Sequence, residues 1–378
     1  MDCRYDIVVV GAGPAGSRTA CHLAHKNLKV CIVEKRKKIG EGVLCTGIVG
    51  SKVFHRLNMP ACSIASRIDS AVFCSPLGQK LEYEPREVFA YVVDRLIFDR
   101  ELFREAQESG VDTFLNQRVS RITRSSGGYS LKTSSRTFHA KAVVLATGID
   151  HRLHGMAGLA RPEAFLYGSQ VERPAAIPGS RIEVHIGSDF APGSFGWVVP
   201  FRNGISRIGV IVRDQSKKWL KRFIRCRLAD QPPCRDADIR VKPIAFGPAR
   251  NSSNGAIISV GEAAGQVKTT TGGGIHYGLL CAEIAADKLY EALMKGYGFS
   301  DYDTTWRSAL VAETDIGKNL RSLAARLSDD DVERLFTFVK QNRYWVELLV
   351  PRIDFDYHSN VIYFCMESFG QLLRTEKS

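Results

Sequence analysis

Three glycines near the start of the chain, Gly11, Gly13 and Gly16, have the G-x-G-x-x-G spacing of a phosphate-binding turn. In such a turn the first glycine permits a tight bend, and the second lets the backbone approach a pyrophosphate. The third allows a helix to pack closely against a strand. Further along, Glu34 supplies a carboxylate of the kind that accepts hydrogen bonds from ribose hydroxyls and repels a 2′-phosphate. Together these residues predict a site for an adenine dinucleotide.

The elements around this turn must bring the glycines and the acid to one edge of a sheet. Residues 5–10 form an apolar, β-branched run that is typical of a buried parallel strand. A helix is predicted to follow the turn, and residues 30–33 form a second buried strand that ends at Glu34. The N-terminus of that helix offers free N–H groups and a favourable dipole to phosphates. A glycine turn that merely connects a strand and a helix is the alternative interpretation.

The composition is ordinary for a globular protein, since 44% of the 378 residues are hydrophobic and 24% are charged. No apolar stretch approaches the ~18–20 residues that span a bilayer. The first strand begins too early to leave room for a signal peptide. Ten cysteines occur without a C-x-x-C pair, which favours reduced thiols. We therefore expect a cytoplasmic protein.

The net charge of +12 is consistent with an anionic partner. The basic residues are scattered and no recognition motif accompanies them, so nucleic acid is not expected. Anionic lipid headgroups and phosphorylated substrates are both compatible with this charge, and so is a role in solubility alone.

No metal site is predicted from the histidines. His22 and His25 share a helix face, and His151 and His154 share a loop, but neither pair has a third ligand nearby in the sequence.

Local patterns predict further elements in the first third of the chain. Residues 39–50 are rich in glycine and predict a loop that lies close to another backbone or to a ligand. Residues 71–83 predict a hairpin. Residues 94–109 predict an amphipathic helix, with Gly110 as its C-terminal cap.

Two later strands end in turns of small residues. Residues 142–145 are a buried strand followed by Ala146-Thr147-Gly148, and residues 256–260 are a buried strand followed by Gly261-Glu262. Nucleotide-binding patterns therefore occur toward both ends of the chain.

The segment between these strands has a different pattern. Short alternating runs at 165–246 predict a mostly antiparallel sheet, interrupted by a basic helix at 217–228. A long helix is predicted from Ile275 to about Lys295, and the pattern is helical and aromatic-rich from Tyr302 onward.

Four segments, in this order, resemble FAD-dependent enzymes of the para-hydroxybenzoate hydroxylase type: residues 11–16, 94–99, 146–148 and 261–265. Three further stretches narrow the resemblance to the geranylgeranyl reductase family. Residues 40–47 resemble its cysteine loop, residues 192–200 are similar to its P-x-x-Y-x-W-x-F-P motif, and residues 271–275 resemble its T-G-G-G-I helix start.

This resemblance implies FAD as the cofactor. The residues that it places against FAD, together with the glycine turn, are Gly11, Gly13, Pro14, Ala15, Gly16, Glu34, Lys35, Cys45, Thr46, Gly47, Arg95, Ala146, Thr147, Gly148, Gly261, Glu262, Gly272, Gly273, Gly274 and Ile275. Arg95 is expected at the phosphate or ribitol side. The turn before Ile275 is expected to face the isoalloxazine, where a helix N-terminus stabilises negative charge on the reduced ring.

The resemblance further implies a substrate site at Phe195, Trp197, Pro200 and His276. Phe195 and Val199 replace the tyrosine and phenylalanine of the family motif, which favours a cavity shaped for a different isoprenoid. Glu262 replaces an aspartate that holds the flavin ribose in relatives, and its extra methylene is expected to shift that hydrogen bond.

The function that the resemblance implies is FAD-dependent reduction of carbon–carbon double bonds in an isoprenoid chain of the geranylgeranyl type. The expected partners are an isoprenoid lipid and an electron donor, which is NADPH, ferredoxin or another. No second G-x-G-x-x-G occurs, so this donor is expected to bind transiently or to be a protein. A lipid substrate, the charge of +12 and the aromatic C-terminal residues suggest peripheral contact with a membrane.

Three alternatives remain on the same fold. They are an FAD-dependent aromatic hydroxylase or monooxygenase, a quinone-linked flavoprotein dehydrogenase, and a flavin-stabilised scaffold without turnover.

Cys45 is the predicted catalytic residue. An isolated alkene is not polarised by a carbonyl, so one of its carbons must receive a proton as the other receives a hydride. A thiol is ordinarily protonated at pH 7 and can donate that proton, and the resemblance places Cys45 beside the flavin. The alternative is a small side chain that only packs under the ring.

The expected fold class is α/β, with a Rossmann-like FAD-binding domain, an inserted, mostly antiparallel β-sheet substrate domain and a helical C-terminal region. The expected divisions are residues 1–70, 90–160 and 250–300 for FAD, residues 71–89 and 161–249 for substrate, and residues 301–378 for the helical region.

Overall fold

The computed structural model describes residues 2–174, 177, 179–342 and 354–360. In chain order the first elements are β1 (Asp2–Val10), α1 (Pro14–Ala24), β2 (Val30–Val33), β3 (Ile48–Gly50), α2 (Ser51–Arg56), β4 (Ile64–Ile68), β5 (Ser70–Cys74), β6 (Lys80–Tyr83), β7 (Ala90–Val93), α3 (Arg95–Glu108), β8 (Asp112–Phe114), β9 (Arg121–Ser125), β10 (Gly128–Lys132) and β11 (Thr137–Leu145). They are followed by α4 (His154–Ala157), β12 (Phe165–Pro174), β13 (Arg181–His185), β14 (Phe195–Pro200), β15 (Ile205–Val212), α5 (Ser216–Arg227), β16 (Arg240–Ala245), β17 (Ser253–Asn254), β18 (Ile257–Ser259), α6 (Ile275–Lys295), α7 (Asp301–Ala324) and α8 (Asp329–Gln341).

An eight-stranded sheet forms the nucleotide-binding part, and six of its strands have the order β17-β18-β11-β1-β2-β8. The other two strands form a branch, in which β10 pairs with β11 and β9 pairs with β10. Strand β1 pairs in parallel with β11 and β2, and its apolar residues are buried on both faces, as is typical of a parallel sheet covered by helices. Helices α1, α3 and α6 contribute to the core on one face, where Leu23, Phe103 and Ala282 pack. The parallel strands β18, β11, β1, β2 and β8, with their crossover helices, confirm the Rossmann-like expectation.

A seven-stranded sheet has the order β16-β12-β15-β14-β13-β5-β6. Its strand pairs are antiparallel except for β13 with β5. Helix α5 covers one face, where Leu220 and Phe223 pack against Val198 and Val210. The predicted antiparallel sheet, hairpin and basic helix are therefore all present.

A three-stranded sheet, β3-β7-β4, was not predicted. The expectation of a loop over residues 39–50 is wrong at its end, since Ile48 and Val49 pair with Val92 and Tyr91 in strand β7. β-branched residues with a partner strand favour the extended conformation over a loop, and that partner lies far away in the sequence.

Helices α6, α7 and α8 form the C-terminal region. Helix α6 has the predicted bounds, and the helical pattern expected from Tyr302 onward continues to Gln341. Of the C-terminal aromatic residues, Phe336 is buried and Phe338 is exposed. Tyr344, Trp345, Tyr363, Phe364 and Phe369 lie outside the described residues. None of the helices in the described part of the chain is both long and apolar enough to cross a bilayer.

Candidate active site

A cavity of about 1100 Å³ lies between the carboxyl ends of the parallel strands and the face of the seven-stranded sheet that is opposite helix α5. Ligands of open α/β sheets bind in the crevice outside the carboxyl ends of the strands. The volume exceeds the ~300–1,000 Å³ of a typical small-molecule pocket, so there is room for more than one ligand.

Most of the predicted site residues line this cavity: Gly11, Gly13, Pro14, Ala15, Glu34, Lys35, Cys45, Thr46, Gly47, Arg95, Ala146, Thr147, Gly148, Phe195, Trp197, Gly261, Glu262, Gly272, Gly273, Gly274, Ile275 and His276. Two of them do not line it. A side chain at Gly16 would collide with the carbonyl of Gly11, so this glycine serves helix–strand packing. Pro200 ends strand β14 and pairs with Ser206.

The glycine turn is shaped to hold a pyrophosphate. Gly11 has a φ of +109°, and a Cβ there would collide with the carbonyl oxygen of Ala146. An added Cβ on Gly13 would meet no atom within 4 Å, so the backbone at that point is open. Helix α1 begins directly after it at Pro14, whose missing N–H costs nothing at the first helical position. These features fit the phosphates of FAD at a helix N-terminus.

Glu34 holds this turn in place. Its two carboxylate oxygens accept hydrogen bonds from the backbone N–H groups of Ala12 and Arg36, each at 2.8 Å. The side chain is buried but lines the cavity. A carboxylate has further lone pairs, so it can accept hydrogen bonds from ribose hydroxyls as well.

Basic residues surround Asp150 at one end of the cavity. Lys35 Nζ lies 2.7 Å from Asp150, and Arg152 and Arg118 lie 2.6 and 3.7 Å from it. The hydrogen bond from Arg152 is the main reason that the pKa of Asp150 is well below its ordinary value. Sequence reasoning found only Lys35, because the other three residues match no motif.

Cys45 lies between the cavity and a buried cluster. It packs against a core that includes Val93 and Ile275, and it lines the cavity. The guanidinium of Arg95 lies close enough to interact with the Cys45 side chain. This guanidinium donates to both oxygens of Asp99, at 2.8 and 3.0 Å. Burial lowers the pKa of Arg95, but Asp99 and Cys45 together outweigh burial and raise it.

The residues after Cys45 are anchored to the seven-stranded sheet. The carbonyl of Thr46 accepts a hydrogen bond from Arg207 Nη1 at 2.8 Å, and Arg207 Nε donates to Glu172 at 3.0 Å. The Thr46 hydroxyl lies 3.3 Å from Gln170 Oε1. The cysteine loop is therefore held against the seven-stranded sheet.

Glu262 forms an ion pair with Lys242, whose Nζ lies 2.7 Å from Glu262 Oε2. Both residues line the cavity, and the pair joins strand β16 to the turn after β18. Sequence reasoning missed Lys242, because an isolated basic residue in an antiparallel strand gives no signal. The ribose contact expected of Glu262 stays a prediction.

Residues 354–360 close another part of the wall. Phe355 and Asp356 line the cavity, and Asp356 forms a buried ion pair with Lys268. Asp356 Oδ2 also accepts a hydrogen bond from the backbone N–H of Gly50 at 2.9 Å. Sequence reasoning did not assign Lys268 or Asp356 to the site.

His276, in the first turn of helix α6, is part of the same wall. Its Nε2 lies 3.2 Å from both Arg56 Nη2 and the Tyr357 hydroxyl. Arginine has only donors, so Nε2 accepts and the proton of the neutral ring is on Nδ1, which lies 3.8 Å from Asp356 Oδ1. Burial lowers the pKa of His276 to about 4, although the charge of Asp356 opposes the shift.

Part of the opposite wall is apolar. Four apolar residues on the face of the seven-stranded sheet opposite helix α5 line the cavity: Ile182, Trp197, Val199 and Ile211. Gln170, Arg240 and Lys242 of the same sheet add polar groups to the lining. The rings of Phe195 and Trp197 lie 6.1 Å apart between centroids. Three of the four residues predicted to contact substrate, Phe195, Trp197 and His276, are thus brought together at one cavity.

Comparison with known proteins identifies relatives of this chain. A family model described as pyridine nucleotide-disulphide oxidoreductase matches residues 5–176. The digeranylgeranylglycerophospholipid reductase 1 of Methanococcoides burtonii is 29% identical over 366 residues, covering 90% of this chain and 88% of the relative. The digeranylgeranylglycerophospholipid reductase of Methanothrix thermoacetophila is 28% identical over 359 residues, covering 88% of this chain and 90% of the relative.

Solved structures share the fold. A geranylgeranyl bacteriochlorophyll reductase-like protein from Thermoplasma acidophilum has a TM-score of 0.82 at 23% identity, covering 90% of this chain and 92% of that chain. The p-nitrophenol 4-monooxygenase of Pseudomonas putida has a TM-score of 0.75 at 16% identity, covering 96% of this chain and 99% of that chain. The comparisons confirm the resemblance to the geranylgeranyl reductase family. The cofactor is FAD, and the chain is an FAD-dependent oxidoreductase.

Proposed function

We propose that this FAD-dependent oxidoreductase saturates carbon–carbon double bonds in the isoprenoid chain of a lipid. The observation that carries the proposal is the apolar surface formed by Ile182, Trp197, Val199 and Ile211 in the cavity that the glycine turns also line. The names of the two relatives, both reductases of digeranylgeranylglycerophospholipid, support the same substrate class.

The apolar surface supports an elongated hydrocarbon substrate. Each CH₂ group that leaves water contributes roughly 0.8 kcal/mol, so a prenyl chain gains binding energy along its whole length. Trp197 and Ile211 offer such a surface. In this proposal the substrate lies mainly against residues 161–249, and FAD lies against the turns of the parallel sheet.

The chemistry needs a hydride and a proton. Bound FAD in its two-electron-reduced form supplies the hydride for one alkene carbon. The other carbon takes up a proton, and we propose the Cys45 thiol as its donor, with the S–H bond breaking as the new C–H bond forms. Cys45 lines the cavity, which supports this role.

Arg95 supports the same step. Loss of the proton leaves a thiolate on Cys45, and the adjacent guanidinium stabilises that negative charge. Two hydrogen bonds to Asp99 fix the position of the guanidinium. In this proposal Arg95 acts on Cys45, in addition to the flavin contact that the family resemblance implies.

Peripheral contact with a membrane is part of the proposal, since the proposed substrate is a lipid. Exposed apolar side chains on helices α7 and α8 support it: Leu323, Leu335 and Phe338 are 56%, 52% and 52% exposed. The net charge of +12 supports attraction to anionic headgroups.

Anoxic turnover tests the reaction. The protein is reduced with dithionite, mixed with prenyl alcohols and prenyl phospholipids, and the products are analysed by mass spectrometry. We expect products that gain a pair of hydrogen atoms for each bond reduced, with flavin reoxidation at the same rate. Products that gain an oxygen atom, and form only in air, would support the hydroxylase alternative instead. Flavin that is reduced and never reoxidised by any of these lipids would contradict the proposal.

A further inference from the structure

A second group of chemically capable side chains lies on the α5-covered face of the seven-stranded sheet, and one of its members, Glu183, also lines the cavity. Strands β5 and β13 are parallel neighbours, and His185 is directly beside Cys74 in their register. Glu183 precedes His185 by two positions, so both side chains point to the same face of strand β13. The ring of His185 packs against Phe223 of helix α5, with centroids 5.1 Å apart. Cys74, Glu183 and His185 therefore converge at one point.

We propose that Cys74, Glu183 and His185 bind one zinc ion. Each residue offers one ligand atom, and these three atoms lie within 4.8 Å of one another. Glu183 Oε2 and His185 Nε2 are 3.0 Å apart. Tetrahedral zinc with ligand distances of ~2.0–2.3 Å holds its ligand atoms ~3.3–3.8 Å apart, so small side-chain rotations complete the site.

The charges and the ligand types suit zinc. A thiolate and a carboxylate balance the charge of Zn²⁺, and a neutral imidazole adds none, so the complex is neutral in a buried position. Sulfur with nitrogen is the donor combination that favours zinc over magnesium or calcium. Cys74 and His185 are 4% and 5% exposed, while the Glu183 side chain is 14% exposed and leaves access for a water as the fourth ligand.

An ion pair between Glu183 and His185 explains only part of this arrangement. The second ring nitrogen of His185, Nδ1, is buried and has no hydrogen-bond partner within the described part of the chain. Buried polar atoms are usually satisfied, so this ring has capacity for a further ligand. A metal ion would use it, either directly or by reorienting the ring.

The consequence is structural. The hairpin of β5 and β6 joins the seven-stranded sheet through β13, and zinc would cross-link the two strands at Cys74 and His185. An ion that binds the native chain and not the unfolded chain raises stability by mass action. This role is structural and adds no step to alkene reduction.

The test uses the untagged holoenzyme. Zinc is titrated in, free metal is removed by dialysis, and bound zinc is measured by mass spectrometry with the FAD content as a folding control. We expect one zinc per chain, a higher melting temperature with zinc, and one sulfur ligand at about 2.3 Å by X-ray absorption. Cys74→Ser and Glu183→Gln should each weaken zinc binding by ~100-fold or more.

Cys62→Ser is the matched control, since Cys62 is an exposed thiol elsewhere on the chain. It should bind zinc as the unmodified protein does. If Cys74→Ser fails to retain FAD, the test of zinc binding depends on Glu183→Gln alone, because that substitution keeps the size of the side chain. Zinc binding below one equivalent at micromolar zinc would overturn the proposal. Full binding by either ligand variant would overturn it too.

Discussion

Lys268 and Asp356 form a buried ion pair in the wall of the active-site cavity, although 88 positions separate them in the chain. Lys268 Nζ also donates to the carbonyl of Phe355 at 3.1 Å, and Asp356 accepts from Gly50. The pair therefore ties residues 354–360 to the loop before helix α6 and to strand β3. Each side chain is almost inaccessible to water, at 6% and 2% exposure.

Removing one charge of this pair should destabilise the protein strongly. Asp356→Asn leaves the Lys268 ammonium buried and uncompensated, which costs about 3–5 kcal/mol. Urea unfolding should show that loss in the free energy of unfolding. The double variant Lys268→Met with Asp356→Leu should recover much of it. Glu101→Gln, in an exposed pair with Arg104, is the control and should change little. Equal stability of Asp356→Asn and the unmodified protein would contradict the prediction.

Gly13→Val should abolish FAD binding without unfolding the chain. An added Cβ meets no protein atom within 4 Å, so valine occupies only the space expected for the pyrophosphate. The purified variant should be folded by circular dichroism and colourless. Retention of the full flavin absorbance per chain would show that the pyrophosphate lies elsewhere.

Cys45→Ser should retain FAD but slow alkene reduction by at least ~10²-fold, because a hydroxyl is a far weaker acid than a thiol of similar size. The measurement is the rate of anoxic flavin reoxidation by a prenyl lipid. Cys281→Ser, a buried thiol on helix α6 outside the cavity, is the control. Normal turnover in Cys45→Ser would show that Cys45 is not the proton donor and has only a packing role.

Stability should fall on acidification through the titration of His276. Its pKa is about 4 in the folded protein against 6.5 ordinarily, because burial disfavours the charged ring. Between these values the unfolded chain binds more protons, so stability is complete above pH 6.5 and declines as the pH falls toward 4. The titration of His276 contributes about 3 kcal/mol to the free energy of unfolding. His276→Gln should make the pH dependence of the unfolding free energy shallower. An unchanged slope would contradict a neutral His276.

Helices α7 and α8 should govern binding to membranes. Charged groups at Leu323 and Phe338 would oppose insertion, so the double variant Leu323→Glu with Phe338→Glu should bind anionic vesicles more weakly in sedimentation assays. Met294→Glu adds the same type of charge at an exposed apolar residue of helix α6 and serves as the control. Binding should also weaken as salt rises. Equal binding by both variants would place the contact elsewhere.

The nucleotide-binding part of the fold could be predicted because its signals are local. The glycine turn needs positive φ at Gly11, Asp94 caps helix α3 through its own side chain, and apolar spacing marks the length of helix α6. Each of these features depends on residues within a few turns of one another. A single sequence therefore predicts strand, turn and helix, and with them the FAD site.

The tertiary structure alone decided which distant side chains meet. Strand register places Cys74 beside His185 on strands that are far apart in the sequence, a juxtaposition that no local pattern records. The pairs Lys242–Glu262 and Lys268–Asp356 likewise join segments that share no local pattern. Such contacts depend on how sheets pack and on how far the chain folds back. The spacing of hydrophobic residues predicts which face of an element is buried, but it does not predict which charged group lies opposite that element.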